Sequence, residues 1–215
     1  NTKKSAMKYT EKIFNEKNNL NLNINKNKGI EKISSDWILV LDSDEVITKE
    51  LKKEIIDTIN NKGNYSGYFI PRRNFYFGKW LKYGSNYPDY QLRLFRKGKG
   101  KFPAKHVHER IKLEGKAGYL KNNIEHYPYN TVSEYLKKFD FYTTFEANFL
   151  KDSGVRISLI NSIFFLLLKP SIRFFRRLVL RGGFLDGIPG ILAVMFDSFS
   201  FPVRYIKLWE LNKKK

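Results

Sequence analysis

The sequence Asp42-Ser43-Asp44-Glu45 sets carboxylates side by side directly after the apolar run Trp37-Ile-Leu-Val-Leu41. Like charges two positions apart repel unless a cation or a donor lies between them. A hard divalent ion with oxygen ligands removes that repulsion and can bridge to a diphosphate. The apolar run reads as a strand covered on both faces, and in open α/β sheets ligands bind beyond the carboxyl ends of such strands. A second reading stays open, because acidic residues ahead of a helix are favourable at its N-terminus. Further along, His106-Val-His108-Glu109 puts both histidines on one face of a strand and Glu109 on the other. Glu109 beside His108 is a candidate general base for a hydroxyl proton; the plainer alternative is strand residues making ordinary hydrogen bonds. The His-Glu-x-x-His spacing of zinc proteases is absent. His126 ends the strand-like piece Gly118–Glu125, and it joins a metal site only if the fold brings it to Asp44.

The elements that must position these residues follow from periodicity. Ala6, Tyr9, Ile13 and Phe14 recur at helical spacing, so residues 2–17 are expected to be helical. Leu20, Leu22 and Ile24 alternate with Asn and predict a short strand, followed by a short helix over 25–35. Thr48 is placed to cap a helix reaching Asn61, with Leu51, Ile55, Ile56 and Ile59 on one face. Helix, strand, helix, buried strand, helix is an α/β pattern that predicts a parallel sheet. Residues 66–127 are richer in strands and turns, with Lys97-Gly-Lys-Gly100 and Glu114-Gly-Lys-Ala-Gly118 as turn signals. Thr131-Val-Ser-Glu134 is a capping box that opens a long helix. Its aromatic stripe Tyr135, Phe139, Tyr142, Phe145 and Phe149 is read as core packing. We place the boundary between a catalytic part and a helical part at 130/131.

Bulk properties limit the partners. With 40 Lys and Arg against 21 Asp and Glu, the formal charge is +19, a field that attracts phosphorylated ligands, anionic lipid headgroups or nucleic acid. No nucleic-acid recognition motif accompanies that charge, and the Asp42–Glu45 cluster would repel phosphates in the absence of a cation, so nucleic acid is not expected as a partner. The chain has no Cys, which excludes disulfides and thiolate metal sites. No unbroken apolar run approaches the roughly 20 residues of a membrane-spanning helix. From 155 onward, apolar residues are interleaved with Arg173, Arg176, Arg177, Arg181, Arg204 and Lys207, a pattern suited to lying in a bilayer interface.

Five ordered blocks then carry a resemblance: Trp37–Glu45, Pro71-Arg-Arg-Asn-Phe-Tyr-Phe-Gly-Lys-Trp80, Tyr87-Pro-Asp-Tyr-Gln-Leu-Arg-Leu-Phe-Arg96, Val107-His-Glu109 and His126-Tyr-Pro-Tyr129. Together they resemble family 2 glycosyltransferases, most nearly the bacterial subgroup that builds lipopolysaccharide cores and related surface glycans. Arg181-Gly-Gly-Phe-Leu-Asp-Gly187 is similar to that subgroup as well. The resemblance implies a GT-A, Rossmann-like α/β domain and an inverting transfer from a nucleotide-sugar donor to a hydroxyl of a lipid-linked or lipopolysaccharide-core glycan. It implies that Asp42, Ser43 and Asp44 hold the donor, with Asp44, Asp42 and His126 around Mg²⁺ or Mn²⁺. It implies Glu109 as the catalytic base with His108 beside it, and Arg93 and Gln91 in the diphosphate or acceptor region. The expected location is peripheral, on the cytoplasmic face of the bacterial inner membrane. The family's first strands, which hold the nucleotide base, have no counterpart in residues 1–36, so the domain is expected to be N-terminally incomplete. That gap keeps a second expectation open, an inactive remnant acting as a membrane-surface or interaction protein.

Overall fold

The computed structural model of the chain describes residues 2–17, 22–61, 63–103 and 110–213. His106, His108 and Glu109 lie outside the described residues. The described strands are β1 (Trp37–Leu39), β2 (Glu45–Ile47), β3 (Gly67–Tyr76), β4 (Lys79–Trp80), β5 (Asp89–Arg96), β6 (Gly100–Lys101), β7 (Lys112–Leu113), β8 (Ala117–Tyr119) and β9 (Ile124–Tyr129). The helices are α1 (Thr2–Ala6), α2 (Leu22–Glu31), α3 (Lys49–Asn60), α4 (Val132–Asp152), α5 (Leu159–Ile163), α6 (Lys169–Phe175) and α7 (Gly187–Lys213). One sheet runs in the order β1-β5-β3-β9-β2, with β4 and β8 also paired to β3, while β6 and β7 form a separate ribbon. The class is α/β, as expected. The sheet is mixed rather than parallel: β1–β5, β2–β9 and β3–β4 are antiparallel, and β3 runs parallel to β8 and β9.

The chain divides into two compact units. The first comprises Asn1–Leu41, Lys53–Ile70 and Gln91–Lys121. Its core gathers Ile38, Leu92, Phe95, Phe102 and Ile111, with Ile38 and Phe95 directly paired across β1 and β5. The expected helix over 2–17 is confined to Thr2–Ala6, because Tyr9 and Phe14 are exposed and an apolar helix face would find nothing to cover it. Glu16 instead pairs with Lys28 on α2 and with Lys32 just beyond it. The expected strand around Leu22 and Ile24 is part of helix α2. Three alternating residues are too short a run to fix a period, and the deciding contact is polar. The Asn27 side chain donates to the Phe102 carbonyl at 2.9 Å and accepts from its amide at 3.0 Å, which lets a buried Asn face the core.

The second unit comprises Asp42–Lys52, Pro71–Tyr90 and Asn122–Lys215. Thr48 Oγ1 accepts from the Leu51 amide at 3.1 Å and starts α3 as expected. Thr131 Oγ1 caps α4 by accepting from the Glu134 amide at 3.1 Å, but Glu134 reaches back to the Asn130 amide at 2.8 Å, one residue earlier than a closed capping box requires. Tyr135 of α4 stacks on Phe196 of α7, and Ala147, Phe165, Tyr205 and Leu208 form the helical core. Between α5 and α7 the chain passes through a π-helical turn (Phe164–Leu168), α6, a second π-helical turn (Arg176–Leu180) and a 3₁₀ turn (Gly183–Asp186). Pro170, which lacks an amide donor, follows the first π turn, where the hydrogen-bond ladder changes register.

The corner before α7 explains the Arg181–Gly187 segment. Gly182 adopts φ +63, and a Cβ on Gly183 would stand 2.8 Å from the Arg177 carbonyl oxygen. Asp186, almost fully buried, accepts from the Tyr83 amide at 2.8 Å. Arg177 donates to the Gly84 carbonyl at 2.6 Å and to Asn86 Oδ1 at 2.7 Å. The helical layer thereby clamps the loop Tyr83–Asn86. By length and composition alone, Gly183–Lys213 is one helical stretch long and apolar enough to cross a membrane. Asp197 and Arg204 interrupt its apolar run. Asp197 is paired with Arg173 and Arg177, and Arg204 with Glu146 of α4.

Candidate active site

Three strands of the second unit bring the site residues into one row. Glu45 on β2 sits opposite His126 on β9, and His126 sits opposite Asn74 on β3. Residues in register across neighbouring strands share a face, so these side chains meet. Asn74 Oδ1 lies 2.7 Å from His126 Nδ1. The Asn74 amide group donates to the Asn86 carbonyl at 3.3 Å and to Asp89 Oδ2 at 3.2 Å. Both acceptors call for the NH₂ end, which fixes Oδ1 toward the imidazole. An amide oxygen only accepts, so the proton of a neutral His126 sits on Nδ1. Its Nε2 lone pair then faces Asp44 Oδ2, 3.7 Å away.

Asp44 occupies the turn just before β2. Its carbonyl accepts from the Tyr127 amide at 2.8 Å, which prolongs the ladder with β9 and fixes the loop. Glu45 has a different task. It is buried, accepts from the Asp42 amide at 3.0 Å and pairs with Arg72 at 3.0 Å. Arg72 also binds Asp89 at 2.7 Å. Burial alone would ease the guanidinium proton off, but Asp89 and then Glu45 reverse this and raise the Arg72 pKa. The carboxylates of the Asp42–Glu45 cluster therefore divide: Glu45 locks the turn from beneath, and Asp44 is presented to His126.

Lys138 of α4 completes the surroundings of Asp44, with Nζ 3.4 Å from Oδ2 and 3.0 Å from the Pro128 carbonyl. The Asp44 carboxyl is held well below the usual carboxylate range. The His126 ring contributes most, donating when Nε2 also carries a proton; burial opposes it, and the charges of the protonated ring and of Lys138 add to the lowering. Tyr142, one turn beyond Lys138, has its hydroxyl pKa raised by burial and by the charges of Asp44 and Asp42.

Among the described residues no group of three or more His, Asp or Glu side chains converges as a metal cluster, so Asp42 does not join Asp44 and His126 in a three-ligand set. The pair by itself fits a divalent ion in donor chemistry: one carboxylate oxygen and one imidazole nitrogen whose second nitrogen is hydrogen-bonded. Two lone-pair donors facing each other across 3.7 Å are relieved by a cation between them, or by a proton on Nε2. Ser43 is exposed in the turn. Arg93 is buried on β5 and, with Gln91, belongs to the first unit. Sequence reasoning did not single out Asn74, Arg72, Asp89 or Lys138. Lys138 lies four residues before Tyr142, a spacing that sets both on one helix face.

Comparison with known proteins places this geometry. The family model described as glycosyl transferase family 2 matches residues 1–126, from the start of the chain to His126. The lipopolysaccharide core biosynthesis glycosyltransferase LpsC of Rhizobium meliloti (strain 1021) is 27% identical over 192 residues, which cover 88% of this chain and 70% of that protein.

Proposed function

The chain belongs to glycosyl transferase family 2 and is a glycosyltransferase of GT-A fold, and from that footing we propose that it transfers a sugar from a nucleotide-sugar to a hydroxyl of a lipid-linked or lipopolysaccharide-core glycan, with inversion. The observation that carries this reading is the Asp44–His126 pair, set at a strand end and oriented from behind by Asn74. LpsC, by its name a lipopolysaccharide core transferase, supports the acceptor class.

In this reading Asp44 and His126 would hold Mg²⁺ or Mn²⁺, and Asp42, Ser43 and Arg93 would bind the donor. The ion, when bound, neutralises charge on the departing nucleoside diphosphate. Glu109, with His108 beside it, takes the proton of the acceptor hydroxyl. The hydroxyl oxygen bonds to the anomeric carbon as the bond from that carbon to the phosphate oxygen breaks, and the configuration inverts. Asn74 keeps the His126 ring turned, and the Glu45–Arg72–Asp89 bridge keeps the turn in place.

We assign residues 1–130 to the transfer chemistry and 131–215 to a helical region that seats the enzyme at a membrane. Leu159, Ile160, Leu167, Ile172, Leu180 and Ile188 are all exposed on α5–α7 and the turns between them, near exposed Arg176 and Arg181. Apolar side chains beside cations suit an anionic bilayer surface. The ties from Lys207 to Asp140 and from Arg204 to Glu146 bind α7 to α4, which favours a helix lying at the interface over one crossing alone through lipid. The proposed location is the cytoplasmic face of the bacterial inner membrane.

The test is incubation with UDP-, GDP- and ADP-sugars, Mn²⁺ and truncated lipopolysaccharide core, reading product linkage by NMR. Transfer with inverted configuration, lost in Asp44→Ala and Glu109→Gln, is expected. Full turnover in either variant would overturn the assignment of roles.

A further inference from the structure

We propose that Lys138 is a diphosphate-binding residue, a cation set beside Asp44 that turns to a phosphate oxygen when the donor binds. This deepens the proposed function and rests on its reading of Asp44. The Thr131 cap fixes where α4 begins, and Lys138 lies on the helical face that also presents Tyr142 to the carboxylates. The ammonium is gripped on the site side by the Pro128 carbonyl at 3.0 Å and lies over the Tyr129 ring, 5.2 Å from its centroid. Its contact with Asp44 is loose: 3.4 Å, against about 2.7–2.9 Å for a well-formed ammonium–carboxylate bond. Among the described residues its hydrogen-bond partners are the Pro128 carbonyl and Asp44, and an ammonium has three donors. The side chain is 42% exposed, so it can rotate without disturbing the core.

Charge balance supplies the reason for the residue. A nucleoside diphosphate beside ionised Asp42 and Asp44 carries more negative charge than one divalent ion offsets. A lysine serves phosphate as a point charge and needs no fixed fork geometry. The position also makes a prediction about competition. Lys138 and a divalent ion both seek Asp44 Oδ2, so the lysine opposes the ion alone and favours the ion together with diphosphate.

The experiment measures Mn²⁺ binding by electron paramagnetic resonance, and binding of UDP, GDP, ADP and CDP at saturating Mn²⁺ by calorimetry. It compares wild type, Lys138→Met, Lys138→Arg and Asp44→Ala. In Lys138→Met, Mn²⁺ alone is expected to bind about threefold more tightly and the best-bound nucleoside diphosphate about tenfold more weakly. Lys138→Arg keeps nucleotide affinity near that of wild type. Unchanged nucleotide affinity in Lys138→Met, while Asp44→Ala abolishes Mn²⁺ binding, overturns this proposal and leaves the site reading standing. Mn²⁺ binding unaffected by Asp44→Ala, or no nucleotide bound by wild type, overturns both.

Discussion

The bond between Asn74 and His126, 2.7 Å from Oδ1 to Nδ1, decides which imidazole nitrogen meets Asp44. Asn74 is itself held by Asp89 and the Asn86 carbonyl, and Asp89 by Arg72, which also grips buried Glu45. The path closes at the turn where it began, since Glu45 accepts from the Asp42 amide.

Asn74→Ala removes the oxygen that sets the ring. Mn²⁺ affinity is expected to fall by about 10- to 100-fold, the usual effect of losing a partner behind a metal ligand. Calorimetric titration of Mn²⁺ checks this, and an unchanged affinity would show that the ring orientation does not matter to the ion.

Arg72→Met leaves Glu45, a carboxylate with almost no exposure, without its counter-charge. Removing one partner of a buried pair costs about 3–5 kcal/mol. Urea unfolding should show this loss, and Arg72→Met combined with Glu45→Gln should recover part of it.

Asp44 gives a sign for acid sensitivity. Its folded pKa lies below its unfolded value of 3.8, so its contribution is complete from about one unit above that value and is lost as pH falls through the folded pKa. Stability should therefore decline below about pH 5 with a component that Asp44→Asn lacks. Parallel acid limbs in the two proteins would show that His126 and Lys138 do not favour the charged carboxyl.

Gly183→Ala forces a methyl group against the Arg177 carbonyl, which is backbone and cannot swing away. A loss of about 1–3 kcal/mol is expected, read as a lower thermal midpoint. A midpoint equal to that of wild type would mean the corner can open without strain.

Membrane seating is tested with vesicles. Leu180→Glu and Ile188→Glu introduce anions among exposed apolar residues near Arg176 and Arg181. Flotation with phosphatidylglycerol vesicles should fall sharply in both, and wild-type binding should weaken with salt. Equal flotation of wild type and variants would move the contact surface elsewhere.

What could be read from the chain differs by the range of the contact. The Asp42–Glu45 turn and the Thr48 and Thr131 caps follow local pattern and are recognisable in sequence, whereas the strand read over Gly118–Glu125 is split between β8 and the start of β9. The division of labour inside the acidic cluster is not, because Arg72 reaches Glu45 only through the β3–β9–β2 register. Lys138 is hidden for a similar reason: 94 positions separate it from Asp44, and nothing local marks one lysine among many. The strand expected around Leu22 and Ile24 failed because the helix expected from residue 25 already begins at Leu22, and its Asn27 is tied to the distant backbone of Phe102. The antiparallel pairings were missed because a strand's direction depends on its neighbour and leaves no trace in its own composition.

The clamp of Arg177 and Asp186 on the loop Tyr83–Asn86 has a consequence for reach. Asn86 supports Asn74, so the helical layer and the Asp44–His126 pair share one rigid scaffold. With Gly183 and Gly190 packed too closely for a Cβ, α7 cannot slide along its axis to adjust that scaffold. Were the proposed seating through α5–α7 to hold, this scaffold would act as a ruler, keeping the Asp44–His126 pair at one set height above the lipid.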